Sequence, residues 1–333
     1  MYQNKIILVT GGTGSWGREL VKQLLDKNPK EIRIFSRGEQ KQVTMKREFN
    51  NSKLNFIIGD IRDLQAIEEA SRGVDYIFHL AALKHVPICE DQPEEAVKTN
   101  ILGIRNLIKA SLDNQIKKFI YVSTDKAVAA QNLYGMTKAV GERLVIQANR
   151  YSEATKFVCI RAGNVLGSNG SVVPFFIEQI KNEHKVTITN KDMTRFFITL
   201  PEAIQLLFQA SEYSYGGEIF VMRMPAYKII DVAKVLIEDS NVKNVSVIEI
   251  GMFAGEKLHE VLISENESGQ TFYFDEKYFI IMPTLSLPGL INYYKEKGLK
   301  KVSFKSYSSN DSVLEKAGVK DLLVKGNFLN KKQ

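Results

Sequence analysis

A short apolar run, Ile6-Ile7-Leu8-Val9-Thr10, leads directly into Gly11-Gly12-Thr13-Gly14-Ser15-Trp16-Gly17 and then into a helix-like segment. This junction constrains the fold more than any other stretch. Gly11 permits a tight turn, Gly14 lets the backbone approach a pyrophosphate, and Gly17 lets the helix pack close to a sheet. The helix start offers N–H groups and a positive dipole end to phosphates. A glycine triplet alone is a weak signal. Placed after a first strand and before a helix, inside a βαβ unit, it marks a dinucleotide site, with Thr13, Ser15 and Trp16 completing the turn.

The same alternation continues. Strands are expected at Ile6-Thr10, Ile32-Ser36, Asn55-Gly59, Tyr76-Leu80, Phe119-Ser123 and Lys156-Arg161. Helices are expected at Trp16-Asp26, Gln40-Phe49, Leu64-Ala70, Glu94-Asn114 and Tyr134-Arg150. Continuous apolar strands separated by amphipathic helices predict an α/β, doubly wound parallel sheet of Rossmann type, covered on both faces. After Arg161 the pattern loosens. Helices at Val173-Asn182, Pro201-Tyr213 and Ile229-Ser240 mix with strands at Val186-Thr189, Thr194-Thr199, Ile219-Met222 and Val245-Glu249. The division predicted is a nucleotide-binding domain over 1–165, with some later segments returning to it. A smaller substrate-binding α/β part and tail would cover 166–333. The last 40 residues look loosely patterned.

The second strand ends at Ser36-Arg37, where a site preferring NAD usually carries an acid bonded to the ribose. Arg37 suits a phosphate and favours NADP, with NAD possible. Asp60-Ile61 is placed to meet the adenine edge. Leu80-Ala81-Ala82 supplies small residues where a cofactor crosses the sheet.

The fifth strand ends in Ser123-Thr124-Asp125-Lys126, and Tyr134 and Lys138 follow at helical spacing. Four residues apart, the phenol and the ammonium share one helix face. A cation there lowers the phenol pKa from about 10 towards a usable base. Tyr273/Lys277 and Tyr293/Lys297 repeat the spacing but lack this strand context. Asp125 and Lys126 add two proton-transfer groups that simple alcohol oxidation does not need.

From Ile6 to Leu262 these residues resemble the extended short-chain dehydrogenase/reductase family. The motifs are the glycine turn, Gly59-Asp60, His79-Leu80-Ala81-Ala82, Asn100, Ser123-Thr124, Tyr134/Lys138 and Arg161-Ala162-Gly163-Asn164-Val165-Leu166-Gly167. Within it, five further motifs resemble the UDP-N-acetylglucosamine 4,6-dehydratases. They are Ser123-Thr124-Asp125-Lys126-Ala127, Ala82-Leu83-Lys84-His85-Val86-Pro87, Gly167-Ser168-Asn169-Gly170-Ser171-Val172-Val173-Pro174-Phe175-Phe176, Met193-Thr194-Arg195-Phe196 and Gly255-Glu256-Lys257-Leu258-His259-Glu260. The likeness is to the C5-inverting branch that begins bacterial pseudaminic acid biosynthesis. Met252-Phe253-Ala254 and Ala162 depart from that branch's usual pattern.

The resemblance implies a hydro-lyase. Tyr134 would take the O4 proton during C4 oxidation, and Lys138 would hold the phenolate and the nicotinamide ribose. Thr124 or Ser123 would bond O4. Lys126 would be the C5 base and Asp125 the acid for the leaving C6 hydroxyl. Asn100 would serve the cofactor site. Asn164, Arg195 and Lys257 are candidates for the diphosphate, Val173 and Thr189 for uracil and ribose, and Lys84 and His85 for the sugar. His85 reads equally well as a satisfied buried histidine. Glu256, His259 and Glu260 are left as a structural helix face. Alternatives are a partial-reaction relative forming or using a 5,6-ene, a UDP-sugar 4-epimerase, and an NADPH-sensing regulator.

The net charge of +7 is carried largely by the tail lysines, including Lys331 and Lys332, without the aromatic interleaving that suggests base stacking. No nucleic-acid partner is expected. No apolar run nears the ~20 residues of a membrane span, and no signal-peptide pattern opens the chain, so a cytoplasmic protein is expected. Cys89 and Cys159 form no metal-binding pattern, and no metal is expected. The resemblance implies at least a dimer, built on Glu94-Asn114 and Tyr134-Arg150 with Leu144, Val145 and Ala148 at the contact.

Overall fold

The computed structural model describes residues 1–168 and 170–329. Asn169 of the glycine-serine motif and the tail lysines Lys331 and Lys332 lie outside them. The first half runs β1 (Ile6–Thr10), α1 (Ser15–Leu25), β2 (Glu31–Ser36), α2 (Glu39–Phe49), β3 (Leu54–Ile58), α3 (Leu64–Ser71), β4 (Tyr76–His79), α4 (Val86–Asp91) and α5 (Pro93–Val97). A π-helical turn (Lys98–Leu102) leads into α6 (Gly103–Asp113), β5 (Lys118–Thr124), a 3₁₀ turn (Asp125–Ala127), α7 (Leu133–Ala148) and β6 (Lys156–Ala162). Then come β7 (Asn164–Val165), α8 (Val172–Glu183), β8 (Lys185–Ile188), β9 (Thr194–Ile198), α9 (Leu200–Tyr213), β10 (Ile219–Met222), β11 (Ala226–Lys228) and α10 (Ile229–Ser240). The remainder is β12 (Ser246–Glu249), β13 (Val261–Ile263), α11 (Glu265–Ser268), β14 (Thr271–Tyr273), β15 (Tyr278–Ile281), α12 (Leu290–Glu296), β16 (Lys300–Lys301), β17 (Tyr307–Ser308) and α13 (Lys316–Lys325).

The main sheet has 10 strands in the order β16-β14-β15-β10-β6-β5-β4-β1-β2-β3. From β3 to β10 all neighbours are parallel; β15, β14 and β16 add an antiparallel edge. This is the expected doubly wound sheet. Strand order reverses between β1 and β4, which opens a crevice at their carboxyl ends. The strands are apolar along their whole length because helices cover both faces. Ile7, Leu8, Val9, Ile77, Phe119, Ile120 and Phe157 are fully buried. A second apolar cluster joins α8, α10 and α13 through Val173, Phe176, Val232, Leu236, Val319 and Leu323.

Three expectations are corrected. Glu94-Asn114 is not one continuous helix: the π turn at Lys98–Leu102 interrupts it and buries Thr99 and Asn100. An extra residue in a helical turn leaves no compositional mark. The tail is not loose, since α12 and α13 are regular and β16 and β17 close two sheets. Two-residue strands are too short to show periodicity. Val145 and Ala148 are fully buried, so neither is available for a dimer contact, while Leu144 is partly buried against the same core.

Candidate active site

The glycine turn lies at the switch point. Gly11 has φ +70°, and a Cβ there would sit 2.8 Å from the Ala81 backbone N, so only glycine brings β1 this close to the segment after β4. Gly14 precedes α1 without a side-chain cap, leaving the helix end facing a cleft of about 470 Å³. Gly11, Thr13, Gly14, Ser15, Trp16, Gly17, Ser36, Arg37, Asp60, Ile61, Leu80, Ala81 and Ala82 all line that cleft. Ser36 Oγ accepts from Thr13 Oγ1 at 3.2 Å and from Gln42 Nε2 at 3.0 Å. Arg37 is more than half exposed and lies 3.9 Å from Asp60. Burial pushes the Asp60 carboxyl up, but its hydrogen bonds from Arg62 outweigh this and hold it below the usual carboxylate range.

Asn100 does not line the cleft. Its amide grips Leu83 N–H at 2.8 Å and Leu83 C=O at 2.9 Å, and donates to Thr137 Oγ1 at 3.0 Å. Every strong valence is used, so Asn100 fixes the segment after β4 against α7 from behind.

The catalytic candidates meet where β5 ends. Thr124 caps the 3₁₀ turn that carries Asp125 and Lys126. Asn132 caps α7, accepting from Gly135 N–H at 2.9 Å and donating to Gly255 C=O at 3.0 Å. A Cβ on Gly135 would collide with the Lys126 carbonyl, so glycine there seats α7 directly on the turn. Tyr134 is thereby delivered beside Asp125 and Lys126. All of these line a second cleft of about 270 Å³, which shares Trp16, Leu80, Ala82, Lys84, His85 and Ser168 with the first.

The electrostatics differ from the sequence expectation. Burial pushes the Tyr134 phenol up to about 12, with the Lys126 charge and the Thr124 hydroxyl pulling it back only in part. Lys138 donates to the Val122 carbonyl at 2.8 Å and lies 4.0 Å over the Tyr121 ring. Burial lowers its pKa to about 7. Lys138 is therefore a desolvated amine, not a permanent cation beside the phenol. Lys126 is the reverse. Burial opposes its charge, but Asp125 at 3.0 Å and Glu260 at 3.4 Å outweigh burial and raise its pKa. Lys126 rests as an ammonium, whereas a C5 base must be neutral.

Ser123 does not face the reacting centre alone. Its hydroxyl donates to Glu142 Oε1 at 2.6 Å. Glu142 also takes Arg161 Nε at 3.0 Å and Nη2 at 2.7 Å, and Arg161 reaches Glu267 at 3.0 Å. This buried network ties β5, β6, α7 and α11 together behind the site.

The substrate candidates divide. Lys84, His85 and Asn164 line the second cleft, and His85 is exposed to it, which excludes a buried structural histidine. Asp125 Oδ2, Asn164 Oδ1 and Ser171 Oγ, all on its lining residues, are buried without partners among the described residues. Ser171 was missed as a site residue, although its motif was noticed. Val173 is fully buried in the second core and presents no side chain to a nucleotide. Arg195 is buried too. Its donors are taken by Thr194 C=O at 2.8 Å, Lys257 C=O at 2.9 Å and Leu258 C=O at 3.1 Å, and it pairs with Glu256 and Glu260. A guanidinium committed to this many carbonyls is a support and does not reach a diphosphate. Lys257 donates to the Val128 carbonyl, and Thr189 bonds Met193 and Glu256 away from the lining. Glu260, set aside from sequence, contacts Lys126 directly. Among the described residues no group of three or more His, Cys, Asp and Glu could hold a metal. No helix among them is long and apolar enough to cross a membrane.

Residues 7–282 match the family described as polysaccharide biosynthesis protein. The chain is 43% identical over 332 residues to a UDP-N-acetylglucosamine 4,6-dehydratase (inverting) from Campylobacter jejuni, covering 97% of each. It is 42% identical over 339 residues to a UDP-glucose 4-epimerase from Rickettsia bellii, covering 99% of this chain and 98% of that one. Among solved structures, Pen from Bacillus thuringiensis superposes with a TM-score of 0.90 at 37% identity, covering 97% of this chain and 99% of that one.

Proposed function

The chain belongs to the polysaccharide biosynthesis protein family, and from that premise we propose that it is a nicotinamide-dependent UDP-N-acetylglucosamine 4,6-dehydratase of the C5-inverting kind. The observation that carries this reading is the meeting of Tyr134 with Asp125 and Lys126 in one cleft continuous with the glycine-turn cleft. The product would be a UDP-4-keto-6-deoxy-hexosamine, of use in pseudaminic acid or related polysaccharide synthesis in the cytoplasm.

The first cleft fits a dinucleotide: the glycine turn lines it, and the uncapped α1 end faces it. Arg37 at its rim supports NADP over NAD. Held by the glycine turn, a nicotinamide would supply the hydride acceptor for C4 and the hydride donor for C6. The residues do the rest. Tyr134 takes the O4 proton as its own phenol proton passes through the Thr124 hydroxyl to Asp125, aided by the Lys126 charge. The C4 ketone makes the C5 proton acidic. Lys126 removes that proton, and Asp125 supplies one to the departing C6 hydroxyl. The O4 proton thus leaves in the water, and the C5 proton is replaced from the opposite face. Lys84, His85, Asn164 and Ser171 hold the sugar and diphosphate.

The Rickettsia bellii relative favours a second reading, a UDP-sugar 4-epimerase, which needs Tyr134 but not the Asp125-Lys126 pair. Mass spectrometry of the product from UDP-N-acetylglucosamine tests the two: loss of one water supports the dehydratase, and unchanged mass overturns it. A homodimer completes the reading. Met136 and Val140 on α7, Leu102 on the π turn and Ile88 on α4 are exposed apolar side chains.

A further inference from the structure

Glu260 stands immediately behind Lys126 and outside the cleft lining. Its side chain is 4% exposed, with Oε1 3.4 Å from Lys126 Nζ and 3.8 Å from Arg195 Nε. Its second oxygen, Oε2, is buried with no partner among the described residues. A buried carboxylate oxygen left unbonded is costly, so its retention calls for a reason. The residue cannot relax away. Its N–H donates to Ser309 Oγ at 2.9 Å, and its C=O accepts from Ser309 N–H at 2.8 Å. Arg195 is equally fixed by the carbonyls of Thr194, Lys257 and Leu258.

We propose that Glu260 is a positioning residue that receives the Lys126 proton before elimination, so that Lys126 meets the substrate as a neutral amine. This rests on the dehydratase reading above. The step balances within the pair: an N–H bond of Lys126 breaks, an O–H bond forms on Glu260, and an ion pair becomes an amine and a carboxylic acid. Lys126 then takes the C5 proton and releases it to solvent, and a solvent proton adds to C5 from the opposite face. Glu260 returns its own proton to Lys126 and the site is reset.

The charges facing the pair make the transfer conditional. Lys126 faces Asp125, Glu260 and Tyr134 with Arg195, Lys84 and Lys257 nearby, and Glu260 faces Lys126, Arg195 and Lys257. Before oxidation the anions dominate and Lys126 keeps its proton. When oxidation has sent a proton from Tyr134 through the Thr124 hydroxyl to Asp125, Asp125 is neutral and Lys126 loses its anionic neighbour at 3.0 Å. An ion pair in a buried site is then held by less surrounding charge, and the neutral pair gains.

The test is Glu260→Gln in the cofactor-loaded enzyme, with UDP-N-acetylglucosamine in deuterated water. Cofactor reduction on mixing, followed by absorbance, should stay near the parent level. Deuterium entry at C5 and water loss should fall by about 10²-fold at neutral pH. The parent kcat should be flat across neutral pH, whereas the variant's should climb with pH as solvent takes the Lys126 proton instead. Removing the carboxylate also loosens the hold on that proton, so the climb levels off where Lys126 titrates. Parent-rate C5 exchange in the variant overturns the proposal, as does equal loss of cofactor reduction and exchange with a flat pH profile. If Glu260→Gln fails to fold, Glu260→Asp should slow exchange about tenfold and keep the parent's flat profile; a parent-like rate there overturns the proposal. A parent protein that reduces cofactor but neither exchanges C5 nor loses water overturns the dehydratase reading itself, and this step with it.

Discussion

Lys126 is the cation that pulls down the phenol of Tyr134, although the two residues lie on different elements. Lys138, one turn beyond Tyr134, instead sends its amine to the Val122 carbonyl. We propose that one lysine serves two stages in succession, as a charge during oxidation and as a base during elimination.

From this division, Tyr134→Phe is expected to abolish cofactor reduction by substrate. Lys126→Met should also slow overall turnover by ~10²–10⁴-fold, but through a different step. It should still permit reduction, slowed because the Tyr134 phenol loses the cation beside it, with reduced nicotinamide accumulating and no C5 deuterium in the product. Stopped-flow absorbance and product mass spectrometry separate the two. Parent-rate C5 exchange in Lys126→Met would remove Lys126 from the role of base.

Arg37→Ala should weaken NADP binding and leave NAD binding nearly unchanged. A charge-assisted contact to the ribose phosphate contributes about 1.5–3 kcal/mol, or ~10–100-fold in affinity. Fluorescence titration with both dinucleotides checks this, and a parent that binds the two equally contradicts the preference.

Glu142→Gln should destabilise the fold and disturb the site together. Arg161 is 2% and Glu142 5% exposed at the side chain, and removing one partner leaves a buried charge less than fully paired. Breaking such a pair costs about 3–5 kcal/mol. Urea unfolding should show that loss, whereas substitution of the exposed Lys109, paired to Asp113 on the surface, should leave the midpoint nearly unchanged.

Lys138→Met should stabilise the ligand-free protein most at low pH while disabling catalysis. In the folded chain Lys138 gives up its proton near 7, against an ordinary 10.5. Between these values the unfolded chain binds more protons, so parent stability rises with pH through that window. Methionine carries no such proton. The advantage of the variant in Tm should therefore shrink between about pH 7 and 10.5, and a constant difference would mean that Lys138 is not desolvated.

Val140→Glu should give a monomer by light scattering if the exposed apolar residues of α7 and the π turn form the homodimer contact. The same substitution at a solvated position would leave the mass unchanged.

The parallel sheet and the nucleotide turn were legible because they are local. Gly11, Gly14 and Gly17 sit within one strand-turn-helix unit, and burial on both faces makes β1, β4, β5 and β6 apolar throughout. The Asp125-Lys126 turn and Tyr134 were legible for the same reason, lying within ten residues of chain. The tertiary structure alone decided which charges meet. Glu260 reaches Lys126, and Arg195 is spent on carbonyls, because β9 and the segment before β13 fold back behind β5 from more than sixty residues away. Val173 and Asn100 looked like ligand contacts by their place in motifs, yet the second core and the π turn claim them. Protonation followed the same rule. Sequence spacing placed Lys138 beside Tyr134, but burial sets the pKa of each group, and burial is a property of the packed chain.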